Sequence, residues 1–185
     1  MEIFFIRHGA TAGNQQRRYI GRTDEPLCEV GIAQVLTLRA TMPPPDRLFV
    51  SPMLRARQTA KLLFPGVPAA VINDLREMDF GDFEGRTADE LSNDPAYRAW
   101  VGTECTAPVP GGEDVAAFKR RCIDAFAAAI EMAPDVGRSA FVIHGGCIMA
   151  ILEALGHPPR RFYEWHIGNA QVLRGIYDGR IIITD

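Results

Sequence analysis

Short apolar runs alternate along the chain with longer stretches whose apolar positions recur every three or four residues. The runs fall at 2–6, 47–50, 69–72, 139–143 and 171–177, and helical periodicity occupies 31–41, 53–63, 87–99, 114–131 and 147–155. Continuous runs rich in Val, Ile and Phe read as strands buried on both faces, and their alternation with helices predicts an α/β fold on a mostly parallel sheet. Pro43-Pro44-Pro45 must end the first helix, while Ser51-Pro52 reads as an N-cap with proline at the first helical position of the second. Asp178-Gly179, set between Gln171-Val172-Leu173 and Ile181-Ile182-Ile183, is a two-residue hairpin signal that predicts an antiparallel edge strand. The longest irregular stretch, Gly102 to Glu113, is expected to serve as a substrate lid, because loops of that length in compact domains are often functional.

Composition narrows the classes. The chain has 185 residues, 47% of them hydrophobic, which suits a single domain over 1–185. A formal charge of −3 leaves no basic excess, and the pairs Arg17-Arg18, Arg120-Arg121 and Arg160-Arg161 lack interleaved aromatics. They read as solvated faces, so no nucleic-acid partner is expected. No apolar stretch approaches bilayer length and the opening strand does not fit a signal peptide, so the expectation is a cytoplasmic protein with no membrane partner. Cys28, Cys105, Cys122 and Cys147 have neither C-x-x-C spacing nor companion histidines, which predicts reduced thiols and no metal site.

Candidate chemistry gathers where strands end. Arg7-His8-Gly9 closes the first run, and residues just past a strand's carboxyl end lie where open α/β sheets bind ligands. Ser139 to Ile143 leads in the same way into His144-Gly145-Gly146 and a helix, a geometry in which backbone N–H groups face an anion. One strand-end histidine is more often structural; two with glycine neighbours point to a site. Ser51 to Ala60 follows the strand Arg47 to Val50 and places Arg55 in the first turns of a helix, where its fork can grip phosphate; Arg57 reads as an exposed helix arginine. Among the carboxylates of the loop 75–85, Glu77, Asp79, Asp82 and Glu84 are all candidates for a general acid, and composition does not choose between them.

These segments together resemble the histidine phosphatase superfamily, the phosphoglycerate mutase-like proteins. The resemblance runs through Arg7 to Asn14, Gly21 to Leu27 with Gly31 and Gln34, Ser51 to Ala60, Glu77 to Gly85, Pro110 to Glu113 and His144 to Gly146, nearly the whole chain. It implies a three-layer α/β/α sandwich and hydrolysis of a small phosphate monoester through a phosphohistidine, with no cofactor. His8 would be the nucleophile and Glu77 the general acid and base. Arg7, Arg55 and His144 would hold the phosphoryl oxygens, with Asn14, Gly145, Gly21 and Arg22 as further substrate contacts. Glu113 is expected to cap the helix beginning near Asp114. Ala10 stands where the family often carries Glu, which touches one polar contact near the nucleophile.

Other phosphoryl-transfer chemistries lack their signatures. Neither Lys61 nor Lys119 follows a glycine, no cysteine is followed six residues later by arginine, and no D-x-D occurs. Tyr19, Trp100, Tyr97, Phe83 and Met78 are read as core and loop packing ahead of a pocket for an apolar leaving group, and His157 and His166 as surface or loop residues. The short chain favours a phosphatase over a phosphoglycerate mutase, and the run Glu77 to Glu84 is similar to that of the α-ribazole phosphatases of cobalamin biosynthesis. A non-catalytic phosphate-binding regulator on the same scaffold is the third reading.

Overall fold

A computed structural model describes residues 1–133 and 137–184. Seven strands form one sheet: β1 (Glu2–Arg7), β2 (Arg47–Val50), β3 (Ala69–Val71), β4 (Arg138–Ile143), β5 (Gly156–His157), β6 (Val172–Tyr177) and β7 (Ile181–Ile183), in the order β3-β2-β4-β1-β6-β7-β5. The pairs β3-β2, β2-β4, β4-β1 and β7-β5 are parallel, whereas β6 runs against both β1 and β7. The predicted hairpin therefore forms, with the two-residue β5 pairing outside it.

Side chains alternate across a strand, so each strand feeds two cores. Ile3, Phe5, Phe49, Phe141 and Ile143 enter the larger one, while Phe4, Ile6, Leu48, Val50, Ala140 and Val142 enter the other. The helices are α1 (Ala12–Gln15), α2 (Glu29–Arg39), α3 (Leu54–Leu63), α4 (Ala88–Leu91), α5 (Pro95–Gly102), α6 (Val115–Glu131) and α7 (Gly145–Leu155). Those supplying the larger core are α5, α6 and α7, through Trp100, Phe118, Phe126 and Ile151; α2 and α3 cover the opposite face through Val35, Ala56, Ala60 and Leu63. This is the three-layer sandwich. Covering both faces explains why the central strands read as unbroken apolar runs.

Two boundaries differ from the sequence pattern. The helix predicted over 87–99 divides into α4 and α5, because Asp94 caps the N–H groups of Ala96 and Tyr97 and Pro95 sits in the first turn of a new helix. Helix α3 starts at Leu54 behind Met53, so Ser51-Pro52 precedes it and the Ser51 hydroxyl does not cap it.

Phe141 lies between Phe5 and Phe49 in register, with ring centroids 5.7 and 4.9 Å away, and Phe126 of α6 closes over it at 5.1 Å. Phe141→Ala is expected to cost about 3–5 kcal/mol, because such a well-packed site cannot collapse around the void. A denaturant midpoint within error of wild type would contradict this packing account.

Candidate active site

Strands β1 and β4 are parallel neighbours in register from Glu2↔Arg138 to Arg7↔Ile143, so the next residue of each is a histidine. The His8 and His144 rings meet edge to face with centroids 5.1 Å apart. The His8 main chain is pinned: its N–H donates to the Ile143 carbonyl at 3.1 Å, and its carbonyl accepts from Ala170 N–H and Asn169 Nδ2, both at 3.1 Å. His8 Nδ1 lies 2.8 Å from the Gly9 carbonyl. A carbonyl only accepts, so Nδ1 carries the hydrogen and Nε2 keeps a free lone pair.

His144 is oriented by a hydroxyl. Its Nε2 lies 2.7 Å from Ser51 Oγ, which itself accepts from Met53 N–H at 3.3 Å. With the serine hydrogen directed at Nε2, Nδ1 is left as a donor without a protein partner. The hydroxyl that the sequence suggests as a helix cap thus orients an imidazole.

Arg55 is 1% exposed. Its Nη1 donates to the Thr23 carbonyl at 2.8 Å and its Nη2 to the Gly21 carbonyl at 2.9 Å. Arg7 Nη1 donates to the Ile167 carbonyl at 2.8 Å. Three buried polar atoms of this cluster, Arg7 Nε, Arg55 Nε and His144 Nδ1, have no protein acceptor. Buried donors without partners are costly unless a ligand takes them, and these offer a ready set for a tetrahedral oxyanion. Thr59, one turn beyond Arg55, accepts from Gly9 N–H at 3.0 Å and donates to the Arg55 carbonyl at 2.8 Å, tying the two arms together.

Of the four carboxylates left open by composition, Glu77 reaches this cluster. Its Oε2 accepts from Gly146 N–H at 3.1 Å, in the first turn of α7, and its Oε1 accepts from Met78 N–H at 3.0 Å. Gly146 is needed there because a β-carbon would collide with Glu77 Oε1. Glu84 instead accepts from Gly21 and Thr23 N–H groups at 2.8 and 2.9 Å, Asp79 accepts from Gly81 N–H and pairs with Arg22, and Asp82 packs beside Gly111.

Arg7, Asn14, Glu77, Gly145 and Gly146 form one wall of a cavity of about 230 Å³, and Tyr19, Phe80, Trp100, Phe162 and Tyr163 line the rest with Met78 and Met149. Tyr97 and Phe83 stay in the core, so the aromatic set read as packing is divided between two uses. His166 lines the cavity as well, a role its loop position did not suggest. Asn14 Oδ1 accepts from Thr11 N–H at 3.2 Å and from Asn169 Nδ2 at 3.1 Å, which leaves its own amide as the donor end. The structure places Gly21 behind Arg55, where a side chain would strike the Met78 carbonyl, and Arg22 in a second hollow with Asp79 and Glu113. From the expected lid, Cys105 lines the cavity, while Val109 is buried in the core.

Two expectations are corrected. Asp114 caps α6 by accepting from Ala117 N–H at 2.8 Å, and Glu113, one residue ahead of the cap, pairs with Arg121 instead. Arg121 accordingly belongs to no solvated face: its side chain is 13% exposed. Ser51, Thr59, Asn169 and Arg121 are the contributors that residue type alone did not reveal. Among the described residues, no three His, Cys, Asp or Glu side chains converge as a metal site, and no helix is long and apolar enough to cross a membrane.

Burial holds the His8 imidazole well below its ordinary value of 6.5, and the Arg55 and Arg7 guanidiniums push it further down. His144 is lowered in the same way, first by burial, then by Arg55, His8 and Arg7. Both rings are neutral near pH 7, which is the state a nitrogen nucleophile requires.

Two strand-end histidines, two arginines that hold unpaired donors and a carboxylate at a helix start are the kinds of group that phosphoryl transfer on histidine would use. The chain belongs to the histidine phosphatase superfamily (branch 1), whose family model matches residues 3–180. It is 34% identical over 172 residues to an adenosylcobalamin/alpha-ribazole phosphatase of Salmonella typhimurium, covering 90% of this chain and 84% of that one. It is 32% identical over 174 residues to a probable phosphoglycerate mutase, GpmB, of Yersinia pestis, covering 87% and 79%. Among solved structures, a putative alpha-ribazole-5′-P phosphatase from Escherichia coli superposes with TM-score 0.88 at 26% identity, over 100% of this chain and 94% of that one.

The lowered imidazole values set a pH dependence. Below about 6.5 the unfolded chain binds protons at His8 and His144 that the folded chain does not, so stability falls as pH is lowered through that point. In an NMR titration neither ring is expected to protonate near pH 6.5; a midpoint there for either would contradict the buried, neutral site.

Proposed function

We propose that the chain hydrolyses a phosphate monoester with an aromatic, nucleoside-like leaving group, α-ribazole 5′-phosphate, through a phosphohistidine on His8. The observation that carries this reading is the junction of a donor-rich, cation-lined pocket with an aromatic cavity of about 230 Å³. Phosphate monoesters resist attack because the dianion repels nucleophiles, and up to ~10²¹ of acceleration is available to an enzyme. Arg7, Arg55, His144, Asn14 and the first N–H groups of α7 supply positive potential around the phosphoryl oxygens.

In the first step His8 Nε2 attacks in line: the P–N bond forms, the P–O bond breaks, and the leaving oxygen takes the proton held by Glu77. In the second step Glu77, now a carboxylate, accepts a proton from water as the water oxygen attacks phosphorus, which releases phosphate and neutral His8. One carboxyl group thus serves as acid and then base. The His8 Nδ1–H bond to the Gly9 carbonyl keeps Nε2 as the attacking atom in each turnover.

The leaving group is read by the cavity. α-Ribazole carries a benzimidazole, a flat apolar ring that suits walls of Tyr19, Phe80, Trp100, Phe162 and Tyr163, and its ribose hydroxyls have His166 and Asn14 within the same cavity. 3-Phosphoglycerate adds a carboxylate to the phosphate. Arg18, a further cation of the cavity wall, is already engaged by the Gly85 carbonyl and Glu90, so the lining favours the aromatic phosphatase substrate over the mutase one. The cytoplasmic assignment belongs to the same proposal and is supported by four cysteines held as free thiols.

Phosphate release in EDTA from α-ribazole 5′-phosphate, 3-phosphoglycerate, sugar phosphates, nucleotides and p-nitrophenyl phosphate tests substrate and metal independence together. The expected profile has α-ribazole 5′-phosphate highest in kcat/KM, with Trp100→Ala raising KM for that substrate while leaving p-nitrophenyl phosphate within a few-fold. Isomerisation of 3-phosphoglycerate without hydrolysis, or loss of all activity in chelator, would overturn the reading.

A further inference from the structure

Glu77 stands on a short segment between two 3-10 turns, Asn73–Leu75 and Gly81–Phe83, with no strand or helix to hold it. A loop carboxylate has many rotamers, and a proton donor displaced by 1 Å from the leaving oxygen can lose about 10²-fold in rate. Something must hold the segment.

Arg121 of α6 does so with every donor it has. Nη1 donates to the carbonyls of Asp74 and Arg76 at 2.7 and 2.8 Å, and Nη2 to the carbonyl of Glu77 itself at 3.1 Å. The remaining N–H groups fork onto Glu113, Nε to Oε1 at 2.6 Å and Nη2 to Oε2 at 2.7 Å. All five N–H groups of the guanidinium are thereby used, a set that a lysine with three donors on a point charge cannot reproduce. Cys147 of α7 adds donation from Sγ to the Arg76 carbonyl at 3.2 Å, so the segment is held from both helices that flank it. The guanidinium also lies over the Phe118 ring, 4.9 Å from its centroid, and Phe118 borders Gly146, the glycine that receives the Glu77 carboxylate. Glu113 ends the loop whose earlier residue Cys105 lines the aromatic cavity. A single half-buried pair therefore joins the acid-bearing segment to the end of the loop that leads from the cavity.

We propose that Arg121, locked by Glu113, is the positioning residue that sets Glu77 for proton transfer to the leaving oxygen. This rests on the reading of Glu77 as general acid. The Arg121 side chain faces carbonyls and Glu113 rather than the cavity, so its main route to the chemistry is the segment that carries Glu77.

General-acid assistance matters greatly for an alkyl leaving group and little for p-nitrophenolate, which departs without a proton. We would therefore compare kcat for p-nitrophenyl phosphate and for the best alkyl phosphate of the substrate panel in wild type, E77Q, R121K, R121M and E113Q, with Tm recorded for each. E77Q is expected to lose about 10²-fold or more on the alkyl phosphate and far less on p-nitrophenyl phosphate. R121K and R121M are expected to show the same skew, with up to about 10²-fold lost on the alkyl phosphate, and E77Q/R121K to lose no more on it than E77Q alone. E113Q, which leaves the three carbonyls paired, is expected to show the skew in weaker form, and it carries the test where R121M does not fold. Equal loss on both substrates in R121K and E113Q would mean a purely structural role and overturn the proposal. An unskewed loss in E77Q would instead overturn the assignment of the acid.

Discussion

Parallel pairing of β1 with β4, in register up to Arg7 and Ile143, is the constraint on which the site depends. Because each strand continues directly into a histidine, the two rings arrive side by side without any loop having to place them. A slip of one residue would turn every side chain of the slipped strand to the other face. The apolar cores on either side make that slip prohibitive. Fold specificity and the placement of the two histidines are thus one property, set by burial of Phe4, Phe5, Ile6 and their partners in β4.

Electrostatics follow from that placement. Arg7 and Arg55 are brought into a nearly dry pocket beside two imidazoles, and an uncompensated buried cation is expensive. The protein offsets the cost with backbone carbonyls: Thr23, Gly21 and Ile167 take the guanidinium terminal nitrogens. The imidazoles respond by staying neutral. What remains is a set of unpaired donors and positive potential that suits a tetrahedral oxyanion. Burial is the first cause that lowers both histidines and the guanidiniums add to it, and the same guanidiniums attract a phosphoryl group.

Much of this was legible in the sequence, for physical reasons. Strands buried on both faces leave unbroken apolar runs, and a histidine followed by glycine at the end of such a run announces itself, so Arg7-His8-Gly9 and His144-Gly145-Gly146 stood out. Arg55 was found because it opens a helix behind a strand. Residues that act through hydrogen bonds across the fold leave no such mark. Ser51 before a proline looks like a cap, yet its hydroxyl serves His144. Arg121 in an arginine pair on an amphipathic helix looks solvated, since periodicity reports which face is apolar and says nothing of three carbonyls waiting 45 residues upstream. Asn169, in a loop after the last helical turn, had no periodic signal. The choice of Glu77 over Asp79, Asp82 and Glu84 likewise depends on which carboxylate meets the glycine-cleared start of α7, a tertiary fact.

In the proposed reaction the phosphoryl group is carried on His8 Nε2 between the two chemical steps. Rapid quench of the enzyme with substrate at high pH, followed by intact mass and peptide mapping, tests it directly. The account predicts one added phosphoryl group, stable to base and labile to acid as a phosphoramidate is, on the peptide containing His8 and absent in His8→Ala. A phosphoryl group on any other residue, or turnover by His8→Ala at the wild-type rate, would contradict it.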